Sequence, residues 1–244
     1  MEFFFTIFYQ PLYNLLVGFY DLFPSAGMGL AIILVTILIK VLLFPFTFKS
    51  LRGQKQMNEL QPKIAKIRED YKDDKEKMAK ELMSVYKDNN VNPFSSCLPL
   101  LIQLPIFFAL YRVLRDGLGQ INTEYLYSFV HAPESINSIF LGIVDLASIS
   151  IPLAVLAAIA QYFQVKLTMV QKPVSEVKKS AGAMDENMMA NMNKMMLYFM
   201  PAMTLMIGCT SMPGGVMLYW LSTTFITILL YRIFLNKPKE EEKK

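Results

Sequence analysis

The sequence predicts an all-α integral membrane protein: five transmembrane helices with an N-terminal interfacial helix and a cytoplasmic helical hairpin. Three observations predict it. Of 244 residues, 54% are hydrophobic, with 17 Met and 18 Phe, whereas soluble domains are about 45–50% apolar. Five windows, 26–48, 94–114, 149–165, 195–212 and 214–231, carry very few charges, Lys40 among them. Each is long enough as a helix to cross a hydrocarbon layer of about 30 Å. The basic residues are also segregated, with 11 of the 24 Lys and Arg in residues 49–91 and none before Lys40.

The elements follow in chain order. Residues 1–25 form the interfacial helix: Pro11 suits a first turn, and Leu12, Leu15, Leu16, Phe19 and Phe23 share one face while Asn14 and Asp21 lie elsewhere. No cationic n-region or small-residue cleavage site marks it as a signal peptide, so it is expected to stay on the protein. Residues 26–48 form the first span. Residues 49–92 change composition, with 11 basic and 8 acidic residues over 49–91. Met57, Leu60, Ile64, Ile67 and Tyr71 recur at helical spacing, as do Met78, Leu82 and Val85. Asp73 and Asp74 offer an N-cap between the two stripes, and Asn89, Asn90 and Pro93 close the second helix. Residues 93–235 hold four further spans, with an outer loop at 116–148 and a cytoplasmic loop at 166–194, and residues 236–244 form a short cytoplasmic tail.

Charge sets the orientation, because cationic loops beside spans stay in the cytoplasm. Residues 166–194 and 232–244 carry five Lys or Arg each, so five spans place the N-terminus outside and the C-terminus inside. Cys97 and Cys209 both fall in apolar windows, and no disulfide is expected. The single histidine, His131, lies near Glu134 and Asp145 in the outer loop without a second ligand at metal spacing. No metal site, cofactor or catalytic residue is expected.

Lys40 is the most informative residue. An ionisable side chain inside a span costs at least about 2.5–3.5 kcal/mol on the insertion scale. It precedes Lys49 by nine residues, or about 13 Å of helix, more than a lysine stem comfortably reaches. None of the five windows contains an Asp or Glu, so Lys40 calls for water or a borrowed anion. Thr36 and Thr47 share its face, Gln103 sits mid-span in the second window, Thr204 in the fourth and Thr223 in the fifth. Their convergence predicts a polar groove, with the third span as scaffold; interhelical hydrogen bonding by Ser, Thr and Gln is the competing account. Eleven of the 17 Met fall between Met184 and Met217. Thioethers suit either a surface that accepts many apolar partners or plain core filling.

The run Cys97-Leu98-Pro99-Leu100-Leu101-Ile102-Gln103-Leu104-Pro105-Ile106-Phe107-Phe108-Ala109-Leu110-Tyr111, preceded by Asn92-Pro93, resembles the YidC/Oxa/Alb membrane protein insertases. A basic residue in the first core span ahead of Phe44-Pro45, and a charged hairpin between these spans, add to the resemblance. It implies a five-helix core around a hydrophilic groove in a bacterial plasma (inner) membrane, with nascent membrane proteins as clients. It places Lys40 as the groove cation, Thr36, Gln103, Thr204 and Thr223 in the lining, and Pro105, Phe107 and Met203 on a hydrophobic slide for the client's apolar segment. The implied partners are the lipid bilayer, the ribosome, the signal recognition particle pathway and the Sec translocase, with no specific nucleic acid binding. Lys40 departs from the family, which usually has arginine there. No large domain ahead of the core and no lipoprotein cysteine are expected. A small-solute transporter or channel is the alternative, but it would call for an internal repeat and an intramembrane carboxylate, and the windows contain neither.

Overall fold

A computed structural model describes residues 2–91, 98–117, 121–168 and 195–234. Pro11 sits in the first turn of α1 (Gln10–Leu22), which continues a helical turn Glu2–Phe4 and a π-type turn Phe5–Tyr9. The face it buries includes Leu12 and Leu16 from the leucine face read from spacing but is wider than that face. Tyr9, Tyr13, Leu16, Val17 and Tyr20 are buried, Phe23 is 48% exposed, and Asn14 is 4% exposed. The reason is polar satisfaction. The Asn14 carboxamide donates to the Tyr125 carbonyl (2.8 Å) and accepts from the Tyr127 N–H (2.7 Å). The Tyr13 and Tyr20 hydroxyls accept from the Asn122 and Asn137 N–H groups, each at 2.8 Å. A buried polar group with its bonds made costs little, so this face binds the 122–137 segment rather than turning from it.

α2 (Gly27–Leu42) stops at Leu43 (φ −89°, ψ 3°), where Phe44-Pro45 starts α3 (Phe44–Asp70). The apolar window 26–48 is therefore two helices meeting at a bend, and α3 runs without interruption from its apolar start into the charged segment. Asp74 caps α4 (Lys75–Asp88) by accepting from the Lys77 N–H at 3.0 Å. Asn90 beyond its end takes φ 52°, and Leu60, Ile64 and Val91 close a small core between α3 and α4. The base of this α-hairpin is tied down where Asn58 donates to the Thr168 carbonyl (2.7 Å) and Leu51 packs on Tyr231.

α5 (Leu98–Gly117) follows, with Arg112 and Arg115 near its end. A three-residue loop, Leu141 (φ 53°), Gly142 (φ 73°) and Ile143, joins β1 (Ile139–Phe140) to β2 (Val144–Asp145), paired antiparallel with Phe140 opposite Val144. The ring of Phe140 lies on Gly29 of α2 so closely that a Cβ there would fall 2.0 Å from it. This β-hairpin covers the start of α2, and the α-hairpin continues from its other end. α6 (Ile151–Thr168), α7 (Met200–Thr210, entered by a π-type turn Met195–Phe199) and α8 (Gly214–Phe234) complete the described chain.

Among the described residues, three helical stretches are both long and apolar enough to cross a bilayer: Pro24–Leu42, Ile151–Thr168 and Gly214–Phe234. The apolar stretch Met195–Thr210 is shorter, ending ahead of Pro213. The outward faces carry Ile37, Val41, Phe108, Leu156, Phe163, Met206, Phe225 and Leu229, all exposed. Such a girdle of large apolar side chains is costly in water and costs nothing in lipid. The protein is an all-α integral membrane protein.

Candidate functional site

α8 organises the polar interior. Tyr219, Thr223 and Thr227 recur at intervals of four and so line one face. That face meets α2 on one side and α5 on the other. From α2, Lys40 Nζ donates to Thr227 Oγ1 at 3.2 Å, and the Thr227 hydroxyl in turn donates to the Thr223 carbonyl at 2.7 Å. From α5, the Gln103 carboxamide donates to the Tyr219 hydroxyl. Between these two contacts the Thr223 hydroxyl lies beside the Tyr219 phenol. It is buried without a hydrogen bond of good geometry among the described residues. A buried hydroxyl left in that state is a place for water or an incoming polar group.

The charge on Lys40 has no counterion among the described residues, where the ion pairs are Lys77–Asp74 and Lys80–Glu76 on the exposed α4. The ammonium is half-buried, with a single hydroxyl as acceptor. Its field therefore reaches the Thr223 hydroxyl's surroundings with little opposing charge.

The structure brings three of the sequence-derived lining candidates, Lys40, Gln103 and Thr223, to this face. Thr36 lies one turn before Lys40 but is fully buried, its hydroxyl donating to the Ile32 carbonyl at 2.7 Å. Thr204 is elsewhere: its hydroxyl donates to Gln161 Oε1 at 2.5 Å, a buried link between α7 and α6. Among the slide candidates, Pro105 interrupts the ladder of α5, Phe107 packs edge-on against Trp220 at 5.4 Å between ring centroids, and Met203 is half-buried on α7. Sequence reading missed Tyr219, which counts as apolar in any hydropathy window. Its place four residues before Thr223 is the signal that finds it.

A bundle with an apolar exterior, and with a cation on its internal polar face that has no counterion among the described residues, defines an integral membrane protein. The chain belongs to the family described as 60Kd inner membrane protein, whose model matches residues 19–242. Its relatives include three proteins named membrane protein insertase YidC. The one from Pelobacter propionicus is 34% identical over 96% of this chain and 39% of its own length. That of Fusobacterium nucleatum is 33% identical over 86% of each chain, and that of Clostridium tetani is 36% identical over 83% of this chain and 79% of its own. The chain thus spans well under half of one relative and most of the other two. Membrane protein insertion in a bacterial membrane is the function these relatives support.

Proposed function

We propose that the chain inserts nascent membrane proteins by drawing a client's polar tail to Lys40 in a groove between α2, α5 and α8, while the client's apolar segment passes into lipid along Pro105, Phe107 and Met203. The observation that carries this reading is the ammonium of Lys40 inside an apolar span, with Thr227 as its one hydrogen-bond partner among the described residues. At 4–8 Å and an effective dielectric of about 20, a client carboxylate is attracted by roughly 2–4 kcal/mol before desolvation losses. Gln103 and Thr223 supply further polar contacts. Thr36 and Thr204 complete the proposed lining, with hydroxyls already engaged in the resting protein.

Five crossings, with the N-terminus outside and the C-terminus in the cytoplasm, fit the charge distribution and set the α-hairpin and the loop at 166–194 on the cytoplasmic side of the inner membrane. There the hairpin is placed to meet a ribosome, the signal recognition particle pathway or the Sec translocase. Moving a segment from groove to lipid makes and breaks no covalent bond, so the reading is of a non-enzyme that uses no cofactor.

The test is insertion of a matched client pair, one with an acidic translocated tail and one with a neutral tail, by Lys40→Arg and Lys40→Gln proteins at equal levels. Arg retains insertion of both. Gln lowers insertion of the acidic client about tenfold, the effect of about 1.4 kcal/mol, and leaves the neutral client nearly unchanged. Equal loss for both clients would make Lys40 a structural residue, and no loss for either would remove its charge from the mechanism.

A further inference from the structure

The β-hairpin stands where three apolar helices begin. The Met28 N–H donates to the Asn137 carbonyl at 3.0 Å, the Gly214 N–H to the Ser148 carbonyl at 2.7 Å and the Gly215 N–H to the Leu146 carbonyl at 2.9 Å, while Ile151 follows as the first residue of α6. Residues 137–150 thus join the starts of α2, α6 and α8, which belong to the three stretches able to cross a bilayer, at one end of the bundle. Phe140 packs beside Gly29, on the first turn of α2. Phe140 and its cross-strand partner Val144 both rest on the core, so alternation turns Ile139 away from it. Beyond them the chain projects. Leu141 is 77% exposed and Ile143 85%, and nothing lies within 4 Å of where a Cβ on Gly142 would stand.

Two features set this tip apart from a solvent loop. No charged residue occurs between Glu134 and Asp145. Leu141 also holds φ 53°, a left-handed conformation that costs a leucine more than the Gly or Asn usual in turns. A large apolar side chain kept there calls for a compensating contact, which lipid supplies and water does not. Other exposed apolar side chains lie at the same end of the helices: Leu22 and Phe23 directly ahead of α2, and Ile149 and Ile151 at the start of α6. Ile151 opens an outward row, with Val155 and Ile159 at intervals of four, along the lipid-facing side of α6. The tip is thus continuous in level with a surface that borders the bilayer. We propose that the β-hairpin is a membrane anchor confined to one leaflet, with the side chains of Leu141 and Ile143 in the phospholipid layer that surrounds the starts of α2, α6 and α8. Its depth is that of the head groups, because turn backbone cannot enter hydrocarbon with unpaired N–H and C=O groups; the Ile143 N–H is already paired with the Phe140 carbonyl at 3.1 Å. The anchor requires a protein that spans a membrane, not one that inserts others, and it holds for whichever leaflet this is.

The experiment uses the full chain, with Cys97→Ala and Cys209→Ala, in vesicles of phosphatidylcholine and phosphatidylglycerol without any client, so its outcome is separate from that of the insertase reading. A nitroxide is attached at Ile143→Cys or, for comparison, at Glu134→Cys, where the parent side chain is charged and exposed. Collisions of the label with oxygen, which concentrates in lipid, are compared with collisions with a nickel chelate confined to water. Oxygen dominates at Ile143→Cys and nickel at Glu134→Cys. Adding Leu141→Asn removes the apolar side chain and suits the positive φ, so the turn keeps its shape. Nickel collisions at the Ile143→Cys label then rise toward those at Glu134→Cys. A tip label reached by nickel as readily as the Glu134→Cys label would put the hairpin in water, and one shielded from both reagents would put it against protein. Unchanged collisions in the Leu141→Asn protein would show that the leucine anchors nothing. Each of these three results would overturn the proposal.

Discussion

Lys40 and Thr227 lie 187 residues apart in the chain and meet at 3.2 Å, the ammonium of α2 donating to the hydroxyl of α8. The hydroxyl in turn donates a hydrogen bond to the Thr223 carbonyl one turn earlier. Thr227 thus offers Lys40 an oxygen lone pair while remaining bonded to its own helix. This arrangement tethers the cation without cancelling it.

Replacing Thr227 by Val keeps the shape and removes the acceptor. The expected loss of thermal stability in detergent corresponds to about 1 kcal/mol, the low end of the cost of orphaning a buried polar group, because Lys40 is only half-buried. Thr227→Ser, which keeps the hydroxyl, should melt close to the parent protein. Equal melting of the Val and parent proteins would show that the contact contributes nothing to stability.

Orientation is open to chemical labelling. With Cys97 and Cys209 replaced, a single cysteine at the exposed Ser135 should react with an impermeant thiol reagent applied to intact cells, whereas one at the exposed Ala79 should react only after lysis. The reverse pattern would place the α-hairpin outside and refute the charge-based topology.

The contact of Phe140 with Gly29 predicts a compensating pair. A Cβ at Gly29 falls 2.0 Å from the Phe140 ring, so Gly29→Ala forces the β-hairpin off α2 at an overpacking cost of about 1–3 kcal/mol. Adding Phe140→Ala to that variant vacates the space and should recover part of the loss in thermal unfolding. A double variant less stable than both single ones would argue against the steric account.

Asp145 at the base of the β-hairpin accepts from the Ser138 hydroxyl (2.7 Å), the Ala147 N–H (3.0 Å) and the Ser148 hydroxyl (2.9 Å). These bonds, that of Ser138 foremost, favour the ionised carboxylate and hold its pKa below the usual value of 3.8. The unfolded segment therefore binds a proton more readily than the folded one, so the carboxylate's contribution is complete above that value and is lost as pH falls through the lower, folded one. Amide exchange at Ala147 and Ile143 should accelerate in that acid range in addition to its intrinsic pH dependence. Asp145→Asn should abolish the extra acceleration.

Much of the fold was legible because hydropathy and helical spacing report what one helix does alone. The cap at Asp74, the start of α1 at Pro11 and the place of Lys40 within an apolar helix all follow from residue type and position on a single element. Relations between elements were less legible. Asn14 reads as a polar residue on the wrong face until the carbonyl of Tyr125 and the N–H of Tyr127 arrive from 111 and 113 residues away. The bond from Thr204 to Gln161 was out of reach for the same reason, since its acceptor belongs to another helix. The bend at Leu43 was hidden inside one apolar window, since hydropathy averages across a change of direction that Pro45 alone hints at.

That bend gives α3 a mechanical character. The helix is 27 residues long, about 40 Å, with Pro62 in its interior, and it starts four residues after Lys40 at a joint made of one non-helical residue, Leu43. Leu51 and Asn58, docked on Tyr231 and Thr168, act as its fulcrum. Both anchors lie ahead of Pro62, so they hold the half of α3 that adjoins Lys40, and the half that meets α4 stands beyond a proline that cannot donate to the helical ladder.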